Sequence, residues 1–373
     1  MKSILLSRAI ALPVVLILSS APALSVPPPP IFNPGEQMFL QWTPGEVRCS
    51  GDPVEPVMMQ RPAANLRYTK GSIRQAYHFR IDDEGRALSV VSERGPSYTA
   101  VTDDVGAALT ASIFKQGAPQ SDCHVEYRST VTPLDQVPLA DLYLYTLAPA
   151  DRALYSAAQK RLEATPGGCM ARPRPAPLRM SFPDFDRIPA SPGTRDWAMV
   201  GYDLDAGGHP VRPHILAGSG NGALDKASIK AVRDSRYVDG ARKGCLTPYW
   251  RAAAPLLSPF STPPDQKPAN AQCAGELRWT TTPRLIYPLA YRRRSIEGWA
   301  QIAYDVAPWG ETGNIQVLAS EPSAAFGQQA MQMIRAARKE KSPTGASACV
   351  ETIRFVIGKA APSEPQDEPI ILD

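Results

Sequence analysis

Apolar positions in this chain alternate over short runs, then recur every four residues, then alternate again, and the succession occurs three times. In the first stretch Ile73, Tyr77, Phe79 and Ile81 mark a strand over residues 72–81. Asp82-Asp83-Glu84-Gly85 reads as a turn, with glycine supplying the positive φ, and Ala87 to Val91 returns as the second strand of a hairpin. Thr102-Asp103-Asp104 suits a helix start, and Val101, Val105, Leu109 and Ile113 give one apolar stripe behind it. Cys123 to Tyr127 opens a third strand. The second stretch repeats this with strands over 197–204 and 211–217, a turn at Ala206-Gly207-Gly208, a helix over 224–232 and a strand from Cys245. The third has strands over 299–306 and 315–319 around Pro308-Trp309-Gly310. Phe326, Ala330, Ile334 and Ala337 stripe its helix, and Val350 to Ile357 closes it with Ile353, Phe355 and Ile357 on one face. The pattern predicts an α+β fold of three tandem small β-β-α-β units, each a helix on a small antiparallel sheet.

The intervening segments differ in character. Residues 24–42 include Pro27 to Pro30 and read as an extended tether. Residues 134–166 form a connector with a helix over 150–164, carried by Leu154, Ala158 and Leu162 and stopped by Pro166-Gly167-Gly168. Residues 252–270 hold Pro255, Pro259, Pro263, Pro264 and Pro268 and read as a semi-rigid linker. The units then span 43–133, 167–251 and 271–359, followed by an acidic tail at 360–373.

Cysteine spacing strengthens the repeat. Cys49 and Cys123 are 74 residues apart, Cys169 and Cys245 are 76 apart, and so are Cys273 and Cys349. Each second cysteine follows its hairpin glycine at a similar distance: 38 residues after Gly85, 37 after Gly208 and 39 after Gly310. Six cysteines allow 15 pairings in principle, and a copied unit that carries its own bridge selects Cys49–Cys123, Cys169–Cys245 and Cys273–Cys349. Disulfides fit an exported protein. Residues 1–23 read as a cleavable signal peptide: Lys2 and Arg8, an apolar run from Ala9 to Leu18 too short to span a bilayer, then Ala21-Pro22-Ala23. An uncleaved inner-membrane anchor is the rival reading.

Charge and side-chain chemistry narrow the function. The net charge of +4 and the lack of a long basic run point away from nucleic acid. Arg292, Arg293 and Arg294 form the densest cationic cluster; it reads as a solvated loop, with anionic lipid or cell-wall polymer as the functional alternative. The four histidines (His78, His124, His209 and His214) lack metal-ligand spacing, and no C-x-x-C pair supports zinc. Gly218-Ser219-Gly220-Asn221-Gly222 lacks the ending of a phosphate loop. No metal, cofactor or catalytic constellation is expected, and the chain reads as a non-enzyme.

The third unit resembles a known family. Tyr287-Pro288-Leu289-Ala290, Glu297-Gly298-Trp299, Asp305-Val306 and Gly310 are similar to the carboxy-terminal domain of TonB, and Asn314-Ile315-Gln316-Val317, Ser320-Glu321-Pro322, Phe326 and Ala330-Met331 continue in order. The second unit keeps Asp203, Asp205, Gly208, Leu224 and Arg236-Tyr237; the first keeps only the turn, the helix stripe and the cysteines. The resemblance implies a periplasmic adaptor that binds extended segments of outer-membrane or envelope proteins by adding them to a sheet edge. Carried over, the receiving strand is Val350, Glu351, Thr352, Ile353, Arg354, Phe355 and Val356; independently of the resemblance, Trp309 at its turn tip and the cationic Arg292 to Arg294 read as further partner contacts. The chain departs from that family in its short leader, in Lys339-Glu340-Lys341-Ser342-Pro343 after the helix, and in its cysteine pairs. Two alternatives follow: an envelope scaffold on cell-wall polymer or a membrane surface, and an anchored energy transducer.

Overall fold

The structure, a computed structural model, describes residues 36–68, 71–95, 103–147, 152–164, 168–238, 240–259, 273 and 277–358. The expected leader, the proline tract and the acidic tail lie outside these residues.

The first segment is built on a long strand. Its elements are β1 (Met38–Pro44), β2 (Arg48–Cys49), β3 (Asp52–Pro53), β4 (Asn65–Arg67), β5 (Arg74–Ile81), β6 (Ala87–Ser92), α1 (Asp103–Thr110) and β7 (Gln120–Pro133). One side of β7 pairs antiparallel with β5, which pairs with β6. Its other side pairs with β2 at Cys123–His124 and with β1 from Tyr127 to Pro133. Residues 38–42 are therefore not tether, as their lack of an obvious period suggested. Phe39, Leu40 and Trp42 are buried, and β1 continues the sheet because it offers apolar side chains to both faces. Phe39 packs with Leu142, Tyr145 and Leu162 of α2 (Leu139–Thr146) and α3 (Arg152–Glu163). The connector thus covers the back of this sheet and carries one helix more than its periodicity predicted.

The second segment contains β8 (Pro177–Arg179), β9 (Asp196–Leu204), β10 (Pro210–Gly218), α4 (Gly222–Asp234), β11 (Arg236–Tyr237) and β12 (Arg242–Arg251). The third contains β13 (Trp279–Thr281), α5 (Leu289–Arg293), β14 (Gly298–Val306), β15 (Thr312–Glu321), α6 (Ala324–Ala336), β16 (Arg338–Lys339) and β17 (Ala346–Phe355). Their main sheets run β10-β9-β12 and β15-β14-β17, the same arrangement as β6-β5-β7 in the first segment. Small β8–β11 and β13–β16 ladders sit beside them.

The three segments agree in register as well as order. The closing cysteine lies opposite the residue six before the hairpin glycine each time: Phe79↔Cys123, Tyr202↔Cys245 and Tyr304↔Cys349. Gly85, Gly208 and Gly310 all have positive φ (79°, 72° and 93°). A Cβ at each would lie 2.3, 2.1 and 2.2 Å from the carbonyl oxygen of Phe114, Tyr237 and Lys339, a residue in the segment that leaves the helix. The amide of that same residue donates to the glycine carbonyl at 2.9, 3.0 and 2.9 Å. Only glycine meets both demands, so the turn both reverses the hairpin and clamps the helix exit. Disulfides join Cys49 to Cys123, Cys169 to Cys245 and Cys273 to Cys349.

The segments do not stand apart as beads. Ala107 and Ala111 of the first helix region belong to the core cluster of the third segment, with Tyr291, Ile302, Phe326 and Phe355. Residues of the expected linker also pair: Ala254 bridges Pro192 and Leu256 bridges Ile296. Its prolines are spaced so that Leu256 can donate to Ser295 O and accept from Glu297 N, at 2.8 and 2.9 Å. The linker's first residues are therefore part of the packed structure.

Candidate functional site

Strand β17 offers an edge because α6 and β14 use only one face and one side of it. Ile353 and Phe355 are buried under α6, while Thr352, Arg354 and Val356 are exposed. Tyr287 stands edge-on to Phe355 at 5.5 Å and 85°. Burial, with the charge of Glu297 adding to it, raises the Tyr287 phenol above its ordinary range. Its hydroxyl donates to Ile296 O at 2.7 Å. Leu285 and Ile286, just before Tyr287, are 52% and 53% exposed, and Val356 is 59% exposed. The carboxyl-terminal end of β17 is thus bordered by exposed apolar side chains.

Which backbone groups face outward follows from alternation. In an antiparallel strand the N–H and C=O of one residue point to the same side, and successive residues alternate. In β7, Ser129 N donates to Ile73 O on the β5 side at 2.9 Å, whereas Glu126 O accepts from Gly45 N on the β1 side at 2.7 Å. Counted from the closing cysteine, Glu126 corresponds to Pro248 in β12 and Thr352 in β17. Val350, Thr352, Arg354 and Val356 therefore turn their backbone groups outward, and Glu351, Ile353 and Phe355 turn theirs to β14.

The three closing strands differ on that outward side. The β7 edge is filled by β1 and β2. In β12 the corresponding position is Pro248, which has no N–H to offer, and proline at such a place disarms a free edge. In β17 every outward position keeps its donor, and among the described residues the strand pairs with β14 alone.

The other predicted contacts do not join this edge. Trp309 is 61% exposed at the β14–β15 turn, with its indole N–H on Glu311 Oε2 at 2.9 Å. It lies at the end of the sheet where Val306 pairs with Ala346, away from Phe355. Arg292 and Arg293 are exposed, but Arg294 is not, which corrects its reading as part of a solvated cluster. Its guanidinium makes a two-pronged bond to Asp104 at 2.7 and 2.6 Å and a third to Arg61 O at 2.9 Å. Asp104 holds the Arg294 pKa above the usual guanidinium value against the opposing effect of burial. α5 packs on α1 in a way the sequence could not reveal, so a run of three arginines splits between solvent and an internal contact.

Two further groupings were not legible beforehand. His78 and His124 sit opposite each other on β5 and β7, both with Nε2 on Glu93 Oε1, at 3.0 and 3.1 Å. Among the described residues no group of three or more His, Cys, Asp or Glu side chains is arranged to hold a metal. The second grouping centres on Glu321, which accepts from Ser89 N and Ser89 Oγ, both at 2.6 Å, and from Arg80 at 2.9 Å. Asp203 and Asp305 occupy the place of Arg80 in the other segments. There they accept the amide of the residue before the closing cysteine, Gly244 or Ala348, each at 2.8 Å. That amide, then Arg212, holds the Asp203 carboxyl below its ordinary pKa.

Comparison with known proteins bears on the third segment. Residues 283–357 match the family described as Gram-negative bacterial TonB protein C-terminal. The solution NMR structure of the Pseudomonas aeruginosa TonB CTD is similar at 26% identity, covering 22% of this chain and 88% of that one, with a TM-score of 0.21. No curated protein matches the chain. No helix among the described residues is long and apolar enough to cross a membrane.

Proposed function

We propose that this chain is a non-enzymatic periplasmic adaptor that binds an extended segment of an outer-membrane or envelope protein along β17. The observation that carries the reading is the contrast among closing strands: β7 is occupied, β12 has Pro248 at an outward position, and β17 has an N–H at Val350, Thr352 and Val356. Backbone groups of a strand edge give a guest strand its affinity, and the apolar border at Leu285, Ile286 and Val356 gives it selection. The family match over residues 283–357 supports a protein partner, because that family takes part in interactions with outer-membrane proteins. The three β-β-α-β segments are in this reading copies of one TonB-terminus-like unit, supported by the shared register and glycine clamp. The first two copies serve as framework.

The test is a titration of the full chain with fluorescent peptides from the amino-terminal segments of outer-membrane receptors. Saturable binding is expected, and Thr352→Pro weakens it at least tenfold. The fold should tolerate this substitution, since Pro248 stands at the matching place in β12. Binding that is unchanged in Thr352→Pro rules out the β17 edge.

A further inference from the structure

The segment leading into the second sheet carries a row of apolar side chains that the core does not use. β8 pairs with β11, Arg179 opposite Arg236, and Val238 N donates to Ala176 O at 2.8 Å. Residues 177–182 run past the carboxyl-terminal end of α4, and alternate residues are held there. The Arg179 guanidinium donates twice to Asp234 O, at 3.1 and 2.6 Å, and Ser181 N donates to Ser235 Oγ at 3.1 Å. The intervening residues lie open. Leu178 is 70% exposed and Phe182 66%, and Met180 and Val238 are exposed as well.

The third segment shows that the fold does not need this row. Tyr237 and Lys339 take the same place against the hairpin glycine, so Arg236 corresponds to Arg338. Arg338 pairs with Thr281 as Arg236 does with Arg179. Leu178, Met180 and Phe182 therefore correspond to Thr280, Thr282 and Arg284, which are exposed too. One place in the fold is polar in one segment and apolar in the other. An exposed apolar row with no packing role marks a contact surface.

Cations gather at the same end of α4. Lys230 bonds to Asp234, and that bond, with the charges of Arg179 and Arg233, holds the Asp234 carboxyl below its ordinary pKa. The Arg236 guanidinium donates to the carbonyls of Arg233 and Ser235 at 2.8 and 2.6 Å. Arg179, Lys230, Arg233 and Arg236 thus cluster about one carboxylate. Beyond Phe182 the charges are mixed, with Asp184 paired to Arg187 at 3.1 Å. Side chains as bare as Leu178 and Phe182 project from the strand rather than line a cleft. Acyl chains close around such groups, and anionic headgroups match the cations beside them. We infer that the edge formed by β8 and the α4 exit docks on an anionic phospholipid surface. Leu178, Met180 and Phe182 enter the boundary between headgroups and acyl chains, and Lys230, Arg233 and Arg236 face the phosphates. This contact is separate from the β17 edge and does not rest on the adaptor reading.

The test is sedimentation of the full chain with vesicles of phosphatidylglycerol and phosphatidylcholine in equal parts, and with phosphatidylcholine alone. Binding to the anionic vesicles is expected, and it should weaken about tenfold when Leu178→Thr, Met180→Thr and Phe182→Ser are combined. Lys230→Gln with Arg233→Gln should weaken it about tenfold as well, and added salt should do the same. All these side chains are exposed, so the circular dichroism of the variants should match that of the unsubstituted chain. Whatever else in the chain touches lipid is common to every variant. A second readout places the contact: Phe182→Trp should gain fluorescence quenching by bromine-labelled acyl chains over the unsubstituted chain. Equal sedimentation of the apolar variant and the unsubstituted chain overturns the inference, and so does an absence of added quenching at residue 182. Self-association that the apolar variant abolishes, with no vesicle binding by either protein, overturns it in favour of a second copy as the partner.

Discussion

Ser89, Arg212 and Asn314 each stand four residues after a hairpin glycine with φ of 51°, 55° and 48°, a conformation that side chains other than glycine seldom take. Asp122, Gly244 and Ala348 do the same one residue before each closing cysteine. The strain is bearable because neighbouring side chains hold the bulge. Asn314 Nδ2 donates to Asp305 Oδ2 at 2.6 Å, and Asp305 Oδ1 accepts the Ala348 amide. The first segment has Arg80 where the others have aspartate, and turns the same place outward to Glu321. At Gly310 no such compensation is open to a side chain, because the Lys339 carbonyl already occupies the Cβ position. Gly310→Ala should therefore cost about 2–4 kcal/mol in urea unfolding, from a left-handed φ plus a displaced helix exit. A loss under about 1 kcal/mol would show that the turn yields easily. This glycine was readable in advance, since a turn between alternating runs needs one. The bulges at Arg212 and Asn314 were not, because nothing in a strand's alternation announces a left-handed arginine or asparagine.

Among the elements, β1 and β17 show how far a pattern of apolar residues can be read. The hairpins and helices of all three segments follow from their periodicity, with ends that shift by a few residues: the helix expected over 224–232 spans Gly222–Asp234. β1 was hidden because Met38-Phe39-Leu40 is apolar on both faces, the mark of a strand buried on both sides, and because a proline tract precedes it. Its removal would bare the core of the first segment. Leu40→Ala is expected to destabilise by about 2–5 kcal/mol in chemical unfolding, as a fully buried leucine does when truncated. Thr43→Ala, at an exposed place on the same strand, should cost less than about 0.5 kcal/mol. Equal effects would mean that β1 does not pack as described. Pro248 was visible in the sequence, but its meaning was not: only the register makes its missing N–H an outward one. The converse substitution, Pro248→Thr, restores that donor. It should raise the number of receptor-type peptides bound per chain in a calorimetric titration, unless α2, which lies beside β12, shields the edge.

The whole molecule behaves as more than three stapled modules, for the first and third segments are locked together at two places. Arg294 of the third holds Asp104 of the first, and Glu321 of the third holds Ser89 and Arg80 of the first; Val90 N also donates to Pro322 O at 3.0 Å. Reduction of one disulfide should then be felt beyond its own segment. The buried phenols set the alkaline limit. Burial raises Tyr77, Tyr127, Tyr202, Tyr249 and Tyr304 above their ordinary value. The unfolded chain therefore releases these protons near pH 10 while the folded one keeps them, and stability present below that pH declines as pH rises past it. A Tm that stays level from pH 9 to 11 would contradict this. The ion pair gives the sharper test. Its two charges are largely withdrawn from water, at 11% and 21% side-chain exposure, so removing one strands the other. Arg294→Ala and Asp104→Ala should each cost about 3–5 kcal/mol, but the double variant much less than their sum, because it leaves no charge behind. The first and third segments should also lose hydrogen-exchange protection together in the single variants, since α1 and α5 share that contact. Additive losses, or a first segment that stays protected while the third opens, would show that the two fold independently, and β17 would then sit on a module free to move against its neighbour rather than on a braced edge.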